Sequence, residues 1–222
     1  MIKTLNNLDA TILLWFNSFH TPFLDQFMSL ISGKWIWVPM YVAIFMVLYM
    51  RIGFKPKLLV ILSTIGIALF FSDFICAEFI RPIFNRPRPS QMCSGINHLV
   101  HIVNNYRGGD YGFPSCHASN SFMLATIVTL LFRNKALSIF LFFWAIAMCY
   151  SRAYLGVHYP GDLLAGALWG SCVSIVLYAL VNRFCTLTEV KGAKHTRYIS
   201  IVGIATFVLL LAVAAVRICQ GA

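Results

Sequence analysis

Three short polar clusters carry the reactive residues of an otherwise apolar chain. They are Arg81-x6-Arg88-Pro89, Pro114-Ser115-Cys116-His117, and Ser151-Arg152 followed by His158 and Asp162. Arginine forks match the oxygens of a phosphate group, so three of them brought together would bind a phosphate. A helix that begins just after Ser115 would add unpaired N–H groups from Cys116 and His117. The clusters therefore predict a phosphate-binding site.

The third cluster also supplies a nucleophile. His158 and Asp162 are four residues apart, so the carboxylate can keep one imidazole nitrogen protonated and direct the other toward a substrate. His117, from the second cluster, can donate a proton to a leaving group. A nucleophile, an orienting carboxylate and an acid are thus present, and this chemistry requires neither a metal ion nor another cofactor.

Ordinary structural roles are predicted for the other polar residues. Arginines beside a membrane span usually extend to lipid headgroups, and this is the role assigned to Arg86 and Arg107. Asp73 lies deeper in an apolar run, so we expect it to be hydrogen-bonded inside the protein and to be a support residue at most. The remaining histidines are interpreted as packed or solvated side chains; they are His20, His98, His101 and His195.

The composition places this chemistry in a membrane. Of the 222 residues, 59% are hydrophobic and 11% are charged, and the mean hydropathy is +0.78, which predicts a polytopic all-α membrane bundle. The net charge of +10 would suggest nucleic acid in a soluble protein. Here the basic residues fall mostly in short loops, which indicates topology signals and anionic lipids, and no nucleic acid partner is expected. The seven cysteines are scattered singly and predict neither a disulfide framework nor a zinc site.

Six apolar runs are long enough to cross a bilayer, and they position the clusters. They cover about 35–51, 57–80, 117–133, 136–153, 161–183 and 198–217. Residues 8–31 show helical spacing with a polar face, so we expect an amphipathic helix at the membrane interface, with a tilted span as the alternative. Span parity brings all three clusters to one face of the membrane, within a single membrane-embedded domain over residues 1–222.

The distribution of basic residues predicts which face this is. Eight lysines and arginines lie on the side of the clusters and nine on the other side. If Arg81, Arg88 and Arg152 bind a ligand, five remain on their side, and the positive-inside rule then places the clusters outside the cytoplasm. In a bacterial inner membrane that side is the periplasm. The nine on the opposite side are Arg51, Lys55, Lys57, Arg133, Lys135, Arg183, Lys191, Lys194 and Arg197.

At these residues the chain resembles the type-2 phosphatidic-acid phosphatase superfamily of integral membrane lipid phosphatases, whose core fold also occurs in vanadium haloperoxidases. The family pattern reads K-x6-R-P, then P-S-G-H, then S-R-x5-H-x3-D. The third motif is matched in full, by Ser151, Arg152, His158 and Asp162. Arg81 stands in place of the lysine of the first motif, and Cys116 in place of the glycine of the second. The resemblance covers about residues 55–183.

The resemblance implies a role for each matching residue. His158 would attack phosphorus and form a phosphohistidine, and Asp162 would orient it. His117 would protonate the leaving oxygen and then activate water. The phosphate would be bound by Arg81, Arg88, Ser115, Cys116 and Arg152.

The resemblance also implies the partners, which are the membrane bilayer and a lipid substrate; no obligate protein partner is evident. The loop of residues 89–113 has aromatic and polar residues that could cover a sugar headgroup, which favours lipid A, dephosphorylated at its 1- or 4'-phosphate. The alternative substrates are undecaprenyl pyrophosphate, phosphatidylglycerol phosphate and phosphatidic acid. A non-enzymatic lipid-binding or transport protein on the same fold is a further alternative, although His117, His158 and Asp162 are all retained.

Overall fold

The structure is a computed structural model, and it describes residues 2–187, 190 and 194–220. Its α-helices are α1 (Ile2–Asn17), α2 (Pro22–Ile31), α3 (Val38–Ile52), α4 (Pro56–Leu69), α5 (Arg81–Phe84), α6 (Cys116–Phe132), α7 (Lys135–Tyr154), α8 (Pro160–Phe184) and α9 (Arg197–Cys219). A π-helix, Phe70–Ile80, joins α4 to α5, so that Pro56–Phe84 form one continuous helical segment.

The helices form a multi-span membrane bundle, which confirms the predicted fold class. Five helical segments of the described residues are long and apolar enough to cross a bilayer, and the shorter apolar α6 packs among them. The five are Lys34–Ile52, Pro56–Phe84, Lys135–Tyr154, Pro160–Phe184 and Arg197–Cys219. Together with α6, these segments correspond to the six apolar runs of the sequence.

The helix boundaries follow from the local sequence. Ser115 and Asn134 cap α6 and α7, because their side chains accept hydrogen bonds from backbone N–H groups of the first turn. Proline occupies the first turn of α2, α4 and α8, where its missing N–H removes no helical hydrogen bond. The ends of the spans are therefore encoded by residues that the sequence displays directly.

The N-terminal segment forms two helices, where a single amphipathic helix over residues 8–31 was expected. Thr21 caps α2 and Pro22 is its first residue, so the helix α1 cannot continue through this corner. Asn17, at the end of α1, is buried and donates to the carbonyl oxygen of Tyr154 at 2.6 Å. This contact fixes α1 against the end of α7 that carries the third polar cluster.

Two glycines bring α6 and α8 into direct backbone contact. A Cβ atom at Gly170 would lie 2.0 Å from the carbonyl oxygen of Ser119, and one at Gly166 would lie 2.3 Å from that of Ser115. Ser174 continues this stripe of small residues at a spacing of four, the pattern that permits close helix packing within a bilayer. The stripe sets the N-terminus of α6 beside the first turn of α8, where two of the polar clusters lie.

The loop between α5 and α6 folds back across the same end of the bundle. Asn85 ends α5 in a left-handed conformation, with φ 46°, and turns the chain. The two arms of the loop then pair, because Arg88 N–H donates to the Asp110 carbonyl at 3.2 Å and Gly112 N–H donates to the Arg86 carbonyl at 2.9 Å. This pairing carries the arginines of the first cluster over the turn between α7 and α8.

Candidate active site

The structure places the predicted site residues at one end of the bundle. Arg81 begins α5, and its Nε donates to the carbonyl oxygen of Pro114 at 3.0 Å, which joins the first cluster to the second. Ser115 N–H donates to the carbonyl oxygen of Asp162 at 2.9 Å, which joins the second cluster to the third. Residues from the loop after α5, the start of α6 and the turn before α8 therefore converge.

His158 lies fully buried in the turn between α7 and α8. Its Nε2 is 2.9 Å from Nη1 of Arg88, and because a guanidinium only donates hydrogen bonds, Nε2 must be the accepting nitrogen of a neutral ring. The proton then sits on Nδ1, which faces Oδ2 of Asp162 at 3.5 Å. Burial, followed by the charges of Arg88, Arg152 and Arg81, holds the pKa of His158 well below its ordinary value, so the ring is neutral at neutral pH.

Arg88 is buried beside His158 and is held by backbone carbonyls. Its Nε donates to Tyr111 at 3.1 Å, and Nη1 donates to Val157 at 3.2 Å. Burial and the neighbouring charges of Arg81 and Arg152 lower the pKa of Arg88 to about 10, which still leaves the guanidinium charged at neutral pH. The guanidinium therefore lies against Nε2 of His158 as a preformed cation.

Arg152, near the end of α7, is only 2% exposed. It donates to the Ser32 hydroxyl through Nη1 and to the Tyr106 hydroxyl at 3.2 Å through Nη2. Its Nε has no hydrogen-bond partner among the described residues. A buried charged donor without a partner is costly, so this nitrogen marks a place where an anion would be stabilised.

The second cluster forms the N-terminal turn of α6. Ser115 is fully buried and its Oγ caps the helix, which leaves the hydroxyl proton as the group that can bind a phosphate oxygen. The Cys116 side chain packs sideways, with its Sγ 3.3 Å from Sγ of Cys76 and 3.7 Å from the carbonyl oxygen of Asp73. A cysteine is thus accommodated by the π-helix, and only its backbone N–H faces outward from the helix start.

His117 lies at one end of a cavity of about 430 Å³ between α3, α4, α6 and α7. Lys34 also lines this end, and most of the remaining wall is apolar. Deeper in the wall, Asp73 accepts a hydrogen bond from Asn120 at 2.7 Å, which confirms that it is hydrogen-bonded inside the bundle. The cavity therefore connects the His117 side chain to an apolar chamber within the membrane-spanning region.

Arg86 was expected to reach lipid headgroups, and that prediction is wrong. Its Nη1 donates to Oδ1 of Asp162 at 2.7 Å and its Nη2 donates to Oδ2 of Asp9 at 2.6 Å. The guanidinium also lies 4.1 Å from the centre of the Tyr159 ring. Although burial acts against the charge, the two carboxylates raise the pKa of Arg86 above its ordinary value. The reason for the error is that both partners are remote in sequence.

The sequence interpretation also missed Tyr106 and Ser32, the partners of Arg152. Burial opposes ionisation of the Tyr106 hydroxyl, but the charges of Arg152, Arg88 and Lys34 outweigh it and lower the pKa of this tyrosine. No spacing rule connects either residue to Arg152, since they lie 46 and 120 positions away. The only available signal was a polar residue, Ser32, at the end of an apolar helix.

Three of the remaining histidines have structural contacts, and the fourth is exposed. Nε2 of His101 lies 2.9 Å from Oδ2 of Asp25, and the ring of His20 stacks on that of His101 with centres 4.1 Å apart. His195 stacks on Tyr198, and His98 is exposed. These placements agree with the packed or solvated roles expected for them.

A comparison with known protein families identifies the fold. The family model described as the PAP2 superfamily matches residues 57–186, a range that contains all three polar clusters. The chain belongs to the PAP2 superfamily. Asp9 of α1 and Ser32, which bind Arg86 and Arg152, lie outside this PAP2 core, so residues beyond the matched range contribute to its site.

Two relatives resemble the chain over most of their length. The lipid A 4'-phosphatase of Bacteroides thetaiotaomicron is 46% identical over 183 residues, which cover 82% of this chain and 81% of the relative. The lipid A 4'-phosphatase of Porphyromonas gingivalis is 34% identical over 170 residues, which cover 77% of this chain and 71% of the relative.

Two solved structures share the PAP2 fold. Aquifex aeolicus LpxE superposes with a TM-score of 0.57 at 23% identity, over 78% of this chain and 95% of that one. The transmembrane PAP2-type phosphatidylglycerolphosphate phosphatase from Bacillus subtilis superposes with a TM-score of 0.63 at 17% identity. The superposition covers 82% of this chain and 89% of that one.

Proposed function

We propose that this protein is a metal-independent lipid phosphatase that removes a phosphate group from lipid A through a phosphohistidine intermediate. The catalytic residues are His158, His117 and Asp162. The phosphate is bound by Arg81, Arg88, Ser115, Cys116 and Arg152. The whole chain, residues 1–222, acts as one membrane-embedded domain around this site.

The observation that carries this proposal is a pair of buried cations beside a neutral imidazole. Arg88 and Arg152 are 5% and 2% exposed, and neither forms an ion pair with a carboxylate of the described residues. Buried charges normally require a counter-ion. A phosphate with two negative charges would supply it and would place phosphorus next to Nε2 of His158.

The reaction proceeds in two displacements. When phosphate oxygens take over the guanidinium of Arg88, Nε2 of His158 is released to attack phosphorus, forming an N–P bond as the bond to the lipid oxygen breaks. His117 takes up a proton once the phosphate charge offsets the surrounding arginines, and it gives this proton to that oxygen, so the lipid leaves as an alcohol. His117 then takes a proton from water, the resulting oxygen attacks phosphorus, and the N–P bond breaks to release inorganic phosphate. Asp162 stabilises the positive charge on the ring while the phosphohistidine exists.

Two observations favour lipid A as the substrate. Both relatives described above are named lipid A 4'-phosphatases, and the higher identity, 46%, covers most of both chains. The cavity lined by His117 has mostly apolar walls, and Tyr41, Phe45 and Leu69 in these walls are exposed. An acyl chain could therefore enter from the bilayer while its headgroup remains at the phosphate-binding residues. We favour the 4'-phosphate on the strength of the relatives.

Phosphate release from a panel of purified lipids tests this function. The panel contains lipid A, undecaprenyl pyrophosphate, phosphatidylglycerol phosphate and phosphatidic acid in matched detergent, each with and without EDTA. We expect lipid A to lose its 4'-phosphate, seen by mass spectrometry, at a rate that EDTA does not change. Preferential hydrolysis of another lipid would reassign the substrate. Loss of activity in EDTA that a divalent cation restores would reject the metal-independent reaction.

We further propose that the site faces the periplasm from a bacterial inner membrane. Eight lysines and arginines lie on the side of the site. Three of them are assigned to the phosphate and a fourth, Arg86, is paired with carboxylates, so four remain as topology signals against nine on the other side. One of the nine, Lys191, lies outside the described residues. The excess of basic residues on the opposite side supports its placement in the cytoplasm.

Two native cysteines test this orientation. Cys93 is exposed in the loop that covers the site, whereas Cys185 follows α8 at the opposite end of the bundle. Single-cysteine variants retaining one or the other are treated with a membrane-impermeant maleimide in intact spheroplasts. We expect labelling of Cys93 in intact spheroplasts, and labelling of Cys185 only after permeabilisation. The reverse pattern would place the site in the cytoplasm.

A further inference from the structure

A chain of ionic contacts connects helix α1 to the carboxylate that faces His158. Nη1 of Arg86 donates to Oδ1 of Asp162 at 2.7 Å, and Nη2 of the same fork donates to Oδ2 of Asp9 at 2.6 Å. Oδ1 of Asp9 accepts in turn from the backbone N–H of Gly161 at 2.8 Å, in the first turn of α8. Asp9 is therefore bonded both to the arginine and to the helix that carries Asp162.

The position of the Asp162 carboxylate matters because each of its oxygens has a different neighbour. Oδ2 accepts from the backbone N–H of Tyr159 at 3.0 Å and faces Nδ1 of His158 at 3.5 Å. Oδ1 is taken by Arg86. The carboxylate is fully buried, so its charge depends on these partners for stabilisation. Nδ1 of His158 has no hydrogen-bond partner among the described residues, so a small rotation of the carboxylate decides whether Oδ2 meets it.

Asp9 determines how Arg86 meets that carboxylate. An arginine fork tends to bind both oxygens of a carboxylate in parallel, and such a pair would draw Oδ2 away from His158. With Nη2 bound to Asp9, Arg86 contacts Asp162 through Nη1 and a single carboxylate oxygen. Gly161 makes room for this arrangement, since a Cβ atom there would lie 2.8 Å from Oδ2 of Asp9.

We propose that Asp9 and Arg86 are positioning residues that hold Asp162 against His158, so that helix α1, outside the PAP2 core, completes the active site. This inference rests on the proposed phosphatase function. The sequence motifs place a carboxylate next to the nucleophile, but the contacts that orient it come from α1 and from the loop after α5.

The proposal is tested with Asp9→Asn, Arg86→Gln and the double variant, assayed on the lipid that the wild-type protein hydrolyses fastest. We expect Arg86→Gln to lower kcat on the order of 100-fold with little change in KM, because the histidine loses its orienting partner. Asp9→Asn should lower kcat about 10-fold. The double variant should stay close to Arg86→Gln and far short of the product of the two single losses, since Asp9 acts on Asp162 mainly through Arg86.

The pH dependence separates positioning from a general loss of structure. The charged and titratable groups around Asp162 are Arg86 and Arg88 from the loop, Asp9 from α1, and His158 and Tyr159 from the turn. Removing a cation 2.7 Å from a buried carboxylate makes its ionised form less favourable. The acid limb of the kcat profile should therefore move to higher pH in Arg86→Gln and return toward that of the wild-type protein in Arg86→Lys.

Two further variants complete the test. Gly161→Ala should reproduce the loss seen in Asp9→Asn, because the added methyl group displaces the Asp9 carboxylate. Asp110→Asn makes the same chemical change at an exposed carboxylate and should keep the wild-type rate. Wild-type kcat in Asp9→Asn would overturn the inference, as would multiplicative losses in the double variant. A wild-type protein that is inactive on every lipid would instead remove the proposed function, and the inference with it.

Discussion

Replacing His158 by alanine is expected to lower lipid dephosphorylation by roughly 10⁴-fold or more, because the nucleophile of a covalent mechanism is removed. The folded protein should remain in the membrane, since Arg88 keeps its bonds to the carbonyls of Tyr111 and Val157. The measurement is phosphate release at saturating lipid A, together with size-exclusion chromatography of the purified variant.

The control for this substitution is His98→Ala, at an exposed histidine of the loop that covers the site. Its rate should equal that of the wild-type protein. Retention of more than a few per cent of activity in folded His158→Ala would reject His158 as the nucleophile. The phosphate would then have to be attacked directly by water, with the arginines acting only as its binding site.

Replacing His117 by asparagine is expected to slow lipid hydrolysis by about 10²- to 10⁴-fold, the usual contribution of a general acid and base. With lipid A, both displacements should become slower. With an aryl phosphate as substrate, the first displacement should be affected less, because a phenolate can leave without receiving a proton. The first step then proceeds and the second, which needs a base to activate water, becomes limiting. Phosphate should accumulate on the protein as an acid-labile, alkali-stable adduct.

Radiolabelled aryl phosphate followed by alkaline electrophoresis measures this adduct. The double variant with His158→Ala should carry no label, because the nitrogen that bears the phosphate is absent. Wild-type lipid hydrolysis in His117→Asn would contradict the assigned role. An adduct that survives acid would indicate a residue other than histidine as the attachment site.

The His158, His117, Arg86 and Asp9 variants change residues at increasing distance from the reacting atoms of one site. His158 and His117 would form or break bonds, whereas Arg86 acts on Asp162 at 2.7 Å and Asp9 acts only through Arg86 and the start of α8. The expected losses decrease in that order. We expect the loss of activity to be smaller for residues farther from the reacting atoms. Each additional contact between the substituted residue and His158 allows neighbouring groups to adjust, so the reacting atoms move less.

The sequence by itself determined the fold class, the apolar helices and the position of the three polar clusters along the chain. Apolar runs of membrane-crossing length, interrupted by caps and prolines, encode helix ends within the local chain, so the bounds of the bundle could be read directly. His158 and Asp162 are four residues apart, and their meeting follows from that short spacing. Span parity was enough to bring Arg81, Ser115 and His158 to one face.

Only the tertiary structure decided which polar groups meet across long separations. Whether Arg86 extends to headgroups or pairs with carboxylates depends on Asp9 and Asp162, which are 77 and 76 positions away and arrive by the packing of α1 and α8. The same holds for Ser32, which reaches Arg152 across 120 positions. Residue patterns report local periodicity, whereas these contacts depend on the rotation and depth of whole helices, which are fixed by close packing such as that of Gly166 and Gly170 against α6.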